Sequence, residues 1–387
     1  MKIAESIKKL STESAFKVFQ RSVELEKSGK KIIHLSLGQP DFATPSNIVE
    51  AAKKALDSGY HGYTPSNGLI QLRNAVSKDA LRRYNVDVDP ENILIVPGGK
   101  PIIFFSILIF GDKNSEIIYP DPGFPIYKSV IDYTGAKSVP LILDEQDNFE
   151  INVDKMISLF NDKTRLIIIN NPNNPTGAFM KKEKMDKIAE ALEKFPNIAI
   201  LSDEIYSRLI FDNQEMPSML QYPNLKDRLI VLDGWSKTFC MTGWRLGWGI
   251  WPKSIISFAN KLAVNDHSCA NAVSQIAGIE ALKGDQEEVK KILKEFEERR
   301  NLIFEKLNSF KNVECFKPGG AFYAFPNISK SKMTGDEFAT EALETYGVAL
   351  VSGSSFGNSA KNFVRFSFAN SKDNILKAME ILSKMVN

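Results

Sequence analysis

Residues 166–203 read LIIINNPNNPTGAFMKKEKMDKIAEALEKFPNIAILSD. Two short β-rich runs, Leu166 to Ile169 and Ile198 to Leu201, flank a helical stretch, and polar residues follow each run: Asn170 to Gly177 after the first, Ser202-Asp203 after the second. Strand, helix, strand in that order is the repeating unit of a parallel sheet. The alternation extends from about residue 45 to 282, with further β-rich runs at Ile93 to Val96, Glu116 to Tyr119, Ser138 to Leu143 and Leu229 to Leu232. The expected fold is α/β, with a mostly parallel central sheet. After Gly284 the pattern changes to a long charged amphipathic helix, Gln286 to Phe310, then short strands around Ala321 to Phe325 and Phe363 to Phe368. The expected division is a large α/β domain, residues 45–282, and a smaller α+β domain made of residues 1–44 and 283–387.

The strand ends carry the chemistry. Gly98-Gly99-Lys100 follows the first run, Phe124 the second, Asn170 to Gly177 the fourth, Asp203 the fifth and Ser236-Lys237 the sixth. In an open α/β sheet, ligands bind in the crevice outside the carboxyl ends of the strands. Five separate segments therefore deliver polar or aromatic groups to one edge. The apolar helix beginning after Gly98-Gly99-Lys100 would aim unpaired N–H groups at that edge, which suits a phosphate.

Composition narrows the partners. The 387 residues are 43% hydrophobic and 25% charged, and 49 basic against 47 acidic side chains leave a net charge of +2. Such a balance gives no electrostatic footprint for nucleic acid or an anionic membrane. The most apolar window, Ile102 to Phe110, is interrupted by Ser106 and is far shorter than the ~20 residues of a membrane helix, so it reads as a buried helix. Cys240, Cys269 and Cys315 are odd in number and scattered, arguing against a disulfide framework or a zinc site and for a reduced, cytoplasmic compartment. No metal is expected. The N-terminus, with Lys8 and Lys9, lacks the apolar core of a signal peptide. No Gly-x-Gly-x-x-Gly follows a first strand, which disfavours a nicotinamide enzyme.

The segment Gly234-Trp-Ser-Lys237-Thr-Phe-Cys-Met-Thr-Gly-Trp-Arg245-Leu-Gly247 resembles the cofactor-lysine segment of the class I aminotransferases, which are fold-type I pyridoxal-phosphate enzymes. Other parts of the pattern occur in order: Leu35-Ser-Leu-Gly38-Gln-Pro-Asp41-Phe, Tyr63-Thr-Pro-Ser-Asn-Gly68, Gly98-Gly99-Lys100, Asn171-Pro-Asn-Asn174-Pro-Thr-Gly177, Ser202-Asp203-Glu204-Ile-Tyr206, Pro318-Gly319-Gly-Ala-Phe-Tyr323 and Arg365-Phe-Ser-Phe-Ala369. They run from about residue 35 to 370. Each alone is moderately specific; their joint order makes a chance match negligible.

The resemblance implies pyridoxal 5′-phosphate as cofactor and assigns roles that the chemistry explains. Lys237 would hold the cofactor aldehyde and shuttle a proton, which requires a neutral amine. Asp203 would keep the pyridine nitrogen protonated so that the ring serves as an electron sink. Tyr206 and Asn174 would donate to the phenolic oxygen. Gly99 and Lys100 would offer main-chain N–H groups to the phosphate, Ser236 a hydroxyl and Arg245 a bidentate fork. Phe124 aligns with the aromatic that stacks on the ring, where many relatives carry tryptophan. Arg365 would clamp the substrate α-carboxylate, with the Gly38 main chain alongside and Phe124 and Asn174 bordering the substrate. Tyr63 would reach the phosphate in the neighbouring subunit, implying a homodimer with shared sites.

The implied activity is transfer of the amino group of an L-amino acid to a 2-oxo acid through a pyridoxamine phosphate form. His34 and His61 read as structural, whereas His267 lies in Asn265 to Asn271, which resembles the segment that crosses the dimer interface, and is a candidate substrate contact. Relatives specialised for dicarboxylates often place an arginine just before it. Here Val264, Asn265 and Asp266 offer none, tilting the expected donor toward neutral or aromatic amino acids while leaving aspartate open. The alternatives are a carbon–sulfur β-lyase on the same scaffold and a ligand-sensing aminotransferase-like domain. For the latter, Met1 to Gly38 is too short for the helix-turn-helix module such regulators carry.

Overall fold

The computed structural model describes residues 1–386. In chain order the strands are β1 (Ile33–His34), β2 (Ile93–Val96), β3 (Glu116–Asp121), β4 (Lys137–Ile142), β5 (Thr164–Asn170), β6 (Ala199–Asp203), β7 (Leu229–Gly234), β8 (Gly247–Ile250), β9 (Tyr323–Ala324), β10 (Val348–Ala349), β11 (Val351–Ser352) and β12 (Val364–Ser367). Seven of them form one sheet in the order β2-β8-β7-β6-β5-β3-β4. The pairs from β3 to β7 are parallel, and β8 runs antiparallel to both β2 and β7. All six runs read from the sequence are strands of this sheet.

The apolar runs are continuous because the sheet is covered on both faces. Ile167 and Ile169 of β5 enter one core layer with the helices Ser46–Asp57, Ile70–Tyr84, Lys182–Glu193 and Ala272–Lys283. Leu166 and Ile168 enter the opposite layer with the helices Lys100–Phe110, Ile126–Thr134 and Ile256–His267. Burying each such side chain contributes about 1.5–3 kcal/mol. The helix Lys100–Phe110 is apolar nearly all round because it packs between the sheet and neighbouring helices, as the Ile102 to Phe110 window suggested.

The strand β8 was not expected. Gly247 and Gly249 weaken its β pattern, yet a side chain there is sterically barred: a Cβ on Gly247 would lie 2.6 Å from the carbonyl carbon of Gly98. This close passage sets the β2 turn against the segment that carries Arg245.

The remaining strands build two small sheets. β1 pairs in parallel with β10, and β11, β12 and β9 form an antiparallel sheet in that order. Phe322, Phe366 and Val364 pack there with Phe296 and Ile303 of the helix Glu287–Asn308 and Leu382 of the helix Lys372–Val386. The pairing of β1 with β10 attaches the N-terminal residues to this C-terminal part. Farther toward the N-terminus, the Ser11 N–H donates to Ser129 Oγ at 2.8 Å, tying the chain start to the helix Ile126–Thr134. Among the described residues, no helix is long and apolar enough to cross a membrane.

Candidate active site

The carboxyl ends of β5, β6 and β7 and the turn after β2 open into a cavity of about 540 Å³. Lys237, on the turn after β7, lines it with Ser236, Asp203, Tyr206, Asn174 and Arg365. The strand register explains the convergence: Asn170 of β5 pairs with Asp203 of β6, and Asp203 pairs with Leu232 of β7, so the three chains end at one level.

Lys237 is half-buried, and its ammonium donates to the Gly38 carbonyl at 2.6 Å. Removal from water, then the nearby Arg365, Arg245 and Lys100 cations, lower its pKa from 10.5 to about 8, with Glu13 opposing. A substantial neutral fraction near pH 8 follows.

Asp203 is buried, and its carboxylate accepts from the Tyr127 hydroxyl at 2.7 Å and the Ile205 N–H at 3.2 Å. Burial raises its pKa to about 6, while these hydrogen bonds pull the other way. A cation placed beside it would favour the ionised form.

Arg365 donates to Asn174 Oδ1 at 3.0 Å and to the Ser36 carbonyl at 2.5 Å. Its Nε–H is buried without a protein partner. The bond to Asn174 uses that side chain's oxygen and turns its amide N–H groups to other acceptors. The Tyr206 hydroxyl lies 2.9 Å from the Tyr323 hydroxyl, both side chains being buried.

The β2 turn forms a second corner. Gly98 has φ +81°, a left-handed conformation that favours glycine, and a Cβ on it would displace the Arg245 guanidinium, which lies 2.2 Å from that position. Gly99 caps the helix that opens at Lys100, and both residues line the cavity at the helix N-terminus. Arg245 is exposed at the mouth and donates to the Thr242 carbonyl at 2.9 Å. Phe124 lines the wall and meets Tyr127 edge to face, with ring centroids 5.8 Å apart.

Two expected residues lie elsewhere in the chain. Tyr63 is 92% exposed and does not border this cavity. His267 ends the helix Ile256–His267, stacked on Phe105 at 6.2 Å with Nδ1 2.9 Å from Asp266, and it too stands away from its own chain's cavity.

Several lining residues escaped the sequence reading. Glu13 and Phe16 close one wall, and the Glu13 carboxylate accepts from the Lys100 ammonium, which also lies 5.7 Å from the Phe16 ring centre and 5.6 Å from that of Phe124. Tyr127 had a legible signal, since it stands three residues after Phe124 in a helix-forming stretch. Glu13 had none, because its partner is 87 residues away.

Residues 30–382 match the family described as aminotransferase class I and II. The chain is 37% identical over 387 residues to an aspartate aminotransferase of Pyrococcus horikoshii, covering 99% of this chain and 96% of that protein. It is 34% identical over 359 residues to aromatic-amino-acid aminotransferase 2 of Thermococcus litoralis, covering 92% of each. A crystal structure of the aspartate aminotransferase from Rhizobium meliloti aligns with a TM-score of 0.95 at 29% identity, covering 99% of this chain and 98% of that one. A fold-type I scaffold with a lysine, a buried aspartate and an arginine in one cavity defines the class, and the chain belongs to the class I and II aminotransferase family. It is a transaminase, moving an amino group between an amino acid and a 2-oxo acid, in a family that uses pyridoxal phosphate.

Proposed function

We propose that this cavity binds pyridoxal 5′-phosphate, with Lys237 as its covalent anchor and Arg365 as the clamp for the α-carboxylate of the substrate. The observation that carries the reading is the presence in one cavity of a lysine of lowered pKa, a buried carboxylate and a buried arginine with an unpartnered Nε–H. The side chains fit the group. Gly99, Lys100, Ser236 and Arg245 offer donors for a phosphate, Asp203 an anion for a protonated ring nitrogen, Tyr206 and Asn174 donors for the phenolic oxygen, and Phe124 a face for the ring. When bound, the cofactor supplies an electron sink that acidifies the substrate Cα–H.

The chain's own groups do the rest. Arg365, held by Asn174 and the Ser36 carbonyl, orients the substrate through the carboxylate that all amino acids share. Lys237, in its neutral form, moves a proton at the substrate Cα. Asp203 holds the ring-nitrogen proton, and its bond from Tyr127 steadies the carboxylate.

The side-chain end of the cavity favours neutral or aromatic donors. Phe16, Phe124, Ile103 and Leu37 line the cavity, and Glu13 offsets the Lys100 charge that would otherwise attract a second carboxylate. The assembly is a homodimer with shared sites: the 92% exposure of Tyr63 supports a role for it on a neighbouring subunit rather than in its own. Three unpaired cysteines support a cytoplasmic setting.

The test is borohydride reduction of protein reconstituted with pyridoxal phosphate, followed by peptide mapping. Visible absorbance should disappear and the cofactor mass should appear on Lys237. A label on another lysine contradicts the reading.

A further inference from the structure

Tyr323 begins β9 and is 1% exposed, yet no role in holding phosphate, substrate carboxylate or lysine falls to it. It nevertheless stands where three functional groups meet. Its hydroxyl is 2.9 Å from that of Tyr206. The Arg365 guanidinium carbon lies 4.4 Å from its ring centre. A Cβ on Gly38 would fall 2.1 Å from its hydroxyl oxygen, so the glycine leaves room for that hydroxyl beside the main chain whose carbonyl accepts from Lys237. The ring is held edge to face by Phe322 at 4.9 Å and by Tyr206 at 5.8 Å.

A phenol has one proton to donate. Between two isolated tyrosines either oxygen can be the donor, but a third group that demands the Tyr206 proton removes the choice. Once Tyr206 donates to an acceptor in the cavity, its oxygen can only accept from Tyr323. Resting on the reading that Tyr206 faces the phenolic oxygen of the cofactor, we propose that Tyr323 is a positioning residue that donates to Tyr206 and so directs the Tyr206 proton toward that oxygen.

The geometry strengthens the relay in two ways. A hydroxyl that accepts a hydrogen bond becomes a better donor, because aligned O–H dipoles polarise one another. Burial raises the Tyr323 pKa, and the Arg365 cation on its ring face works against that rise, so the hydroxyl is a better donor than burial alone would leave it. Both effects stabilise negative charge on the phenolic oxygen. The lysine-linked cofactor should therefore lose its proton at lower pH than it would beside Tyr206 alone.

The experiment is a pH titration of the visible absorbance of the reconstituted holoenzyme as wild type, Tyr206→Phe, Tyr323→Phe and the double variant. Phenylalanine at 323 keeps the ring contacts with Phe322 and Arg365. Tyr206→Phe should raise the midpoint, Tyr323→Phe should raise it by roughly 0.5–1 unit, and the double variant should titrate with Tyr206→Phe, since the second change has no donor left to act through. Wild-type titration of Tyr323→Phe beside a shifted Tyr206→Phe overturns the relay. So does a Tyr323→Phe shift that persists undiminished in the Tyr206→Phe background. If Tyr206→Phe itself titrates as wild type, the assignment of Tyr206 fails and the relay falls with it.

Discussion

Tyr127 donates its hydroxyl to Asp203 Oδ2 at 2.7 Å, between two fully buried side chains brought from different elements of the large sheet region. The bond opposes the burial that pushes the Asp203 proton affinity up. Tyr127→Phe should therefore leave a carboxylate that ionises less readily and holds a ring-nitrogen proton less well. A charge-assisted hydrogen bond contributes about 1.5–3 kcal/mol, so the half-reaction should slow by about tenfold or more, measured by stopped-flow absorbance. An unchanged rate would remove Tyr127 from the account.

As the proposed clamp for the α-carboxylate that all amino acids share, Arg365 should act on every substrate equally. Arg365→Lys keeps the charge but cannot make both the bond to Asn174 and the bond to the Ser36 carbonyl in one plane. Catalytic efficiency should fall at least about tenfold for aromatic, neutral and acidic donors alike. A loss confined to one donor would place Arg365 at the side-chain end of the cavity instead.

The Glu13–Lys100 pair makes a prediction about selectivity. Glu13→Gln removes the only negative partner the structure gives Lys100 among the described residues and leaves the Phe16 and Phe124 walls intact. The ratio of efficiency for a dicarboxylic donor to that for an aromatic donor should rise by roughly tenfold, equivalent to ~1.4 kcal/mol of added attraction. A ratio that does not move would show that Lys100 does not sense the substrate side chain.

Much of this architecture was legible because strands buried on both faces announce themselves as apolar runs. Leu166 to Ile169 could be read from composition alone, and the polar residues after it fell where a parallel sheet puts its ligands. β8 was hidden because Gly247 and Gly249 answer a packing demand from the β2 turn and Trp251 rather than a strand propensity. The cavity wall contributed by Glu13 was hidden for another reason. Its position depends on the chain start folding across the helix Ile126–Thr134, a contact with no local pattern. Tyr323 was visible as part of a motif, but its neighbours Tyr206 and Arg365 are 117 and 42 positions away in sequence, and only the fold joins them.

Buried carboxyls also set a pH dependence. Burial raises Glu204 from 4.5 to about 7 and Asp203 from 3.8 to about 6, so between roughly pH 4 and 7 the cofactor-free native state keeps protons that the unfolded chain has released. Their contribution to stability is therefore most favourable at low pH and is lost as pH rises through that window. Glu204→Gln preserves acceptors for Ser202 and the Met219 N–H but cannot ionise. Urea unfolding should show the variant gaining on wild type as pH rises toward 7, by up to ~1.4 kcal/mol per pH unit, then levelling. A difference that is flat across this range would contradict the buried-acid reading.

The central claim is that Lys237 both anchors the cofactor and moves the proton at the substrate Cα. Its most direct test is a single-turnover half-reaction of Lys237→Ala, reconstituted with pyridoxal phosphate and mixed with excess amino acid, followed by absorbance. Removing the base should slow conversion to the amino form of the cofactor by at least about two to four orders of magnitude, while absorbance changes from substrate binding persist. Conversion at the wild-type rate would contradict the account.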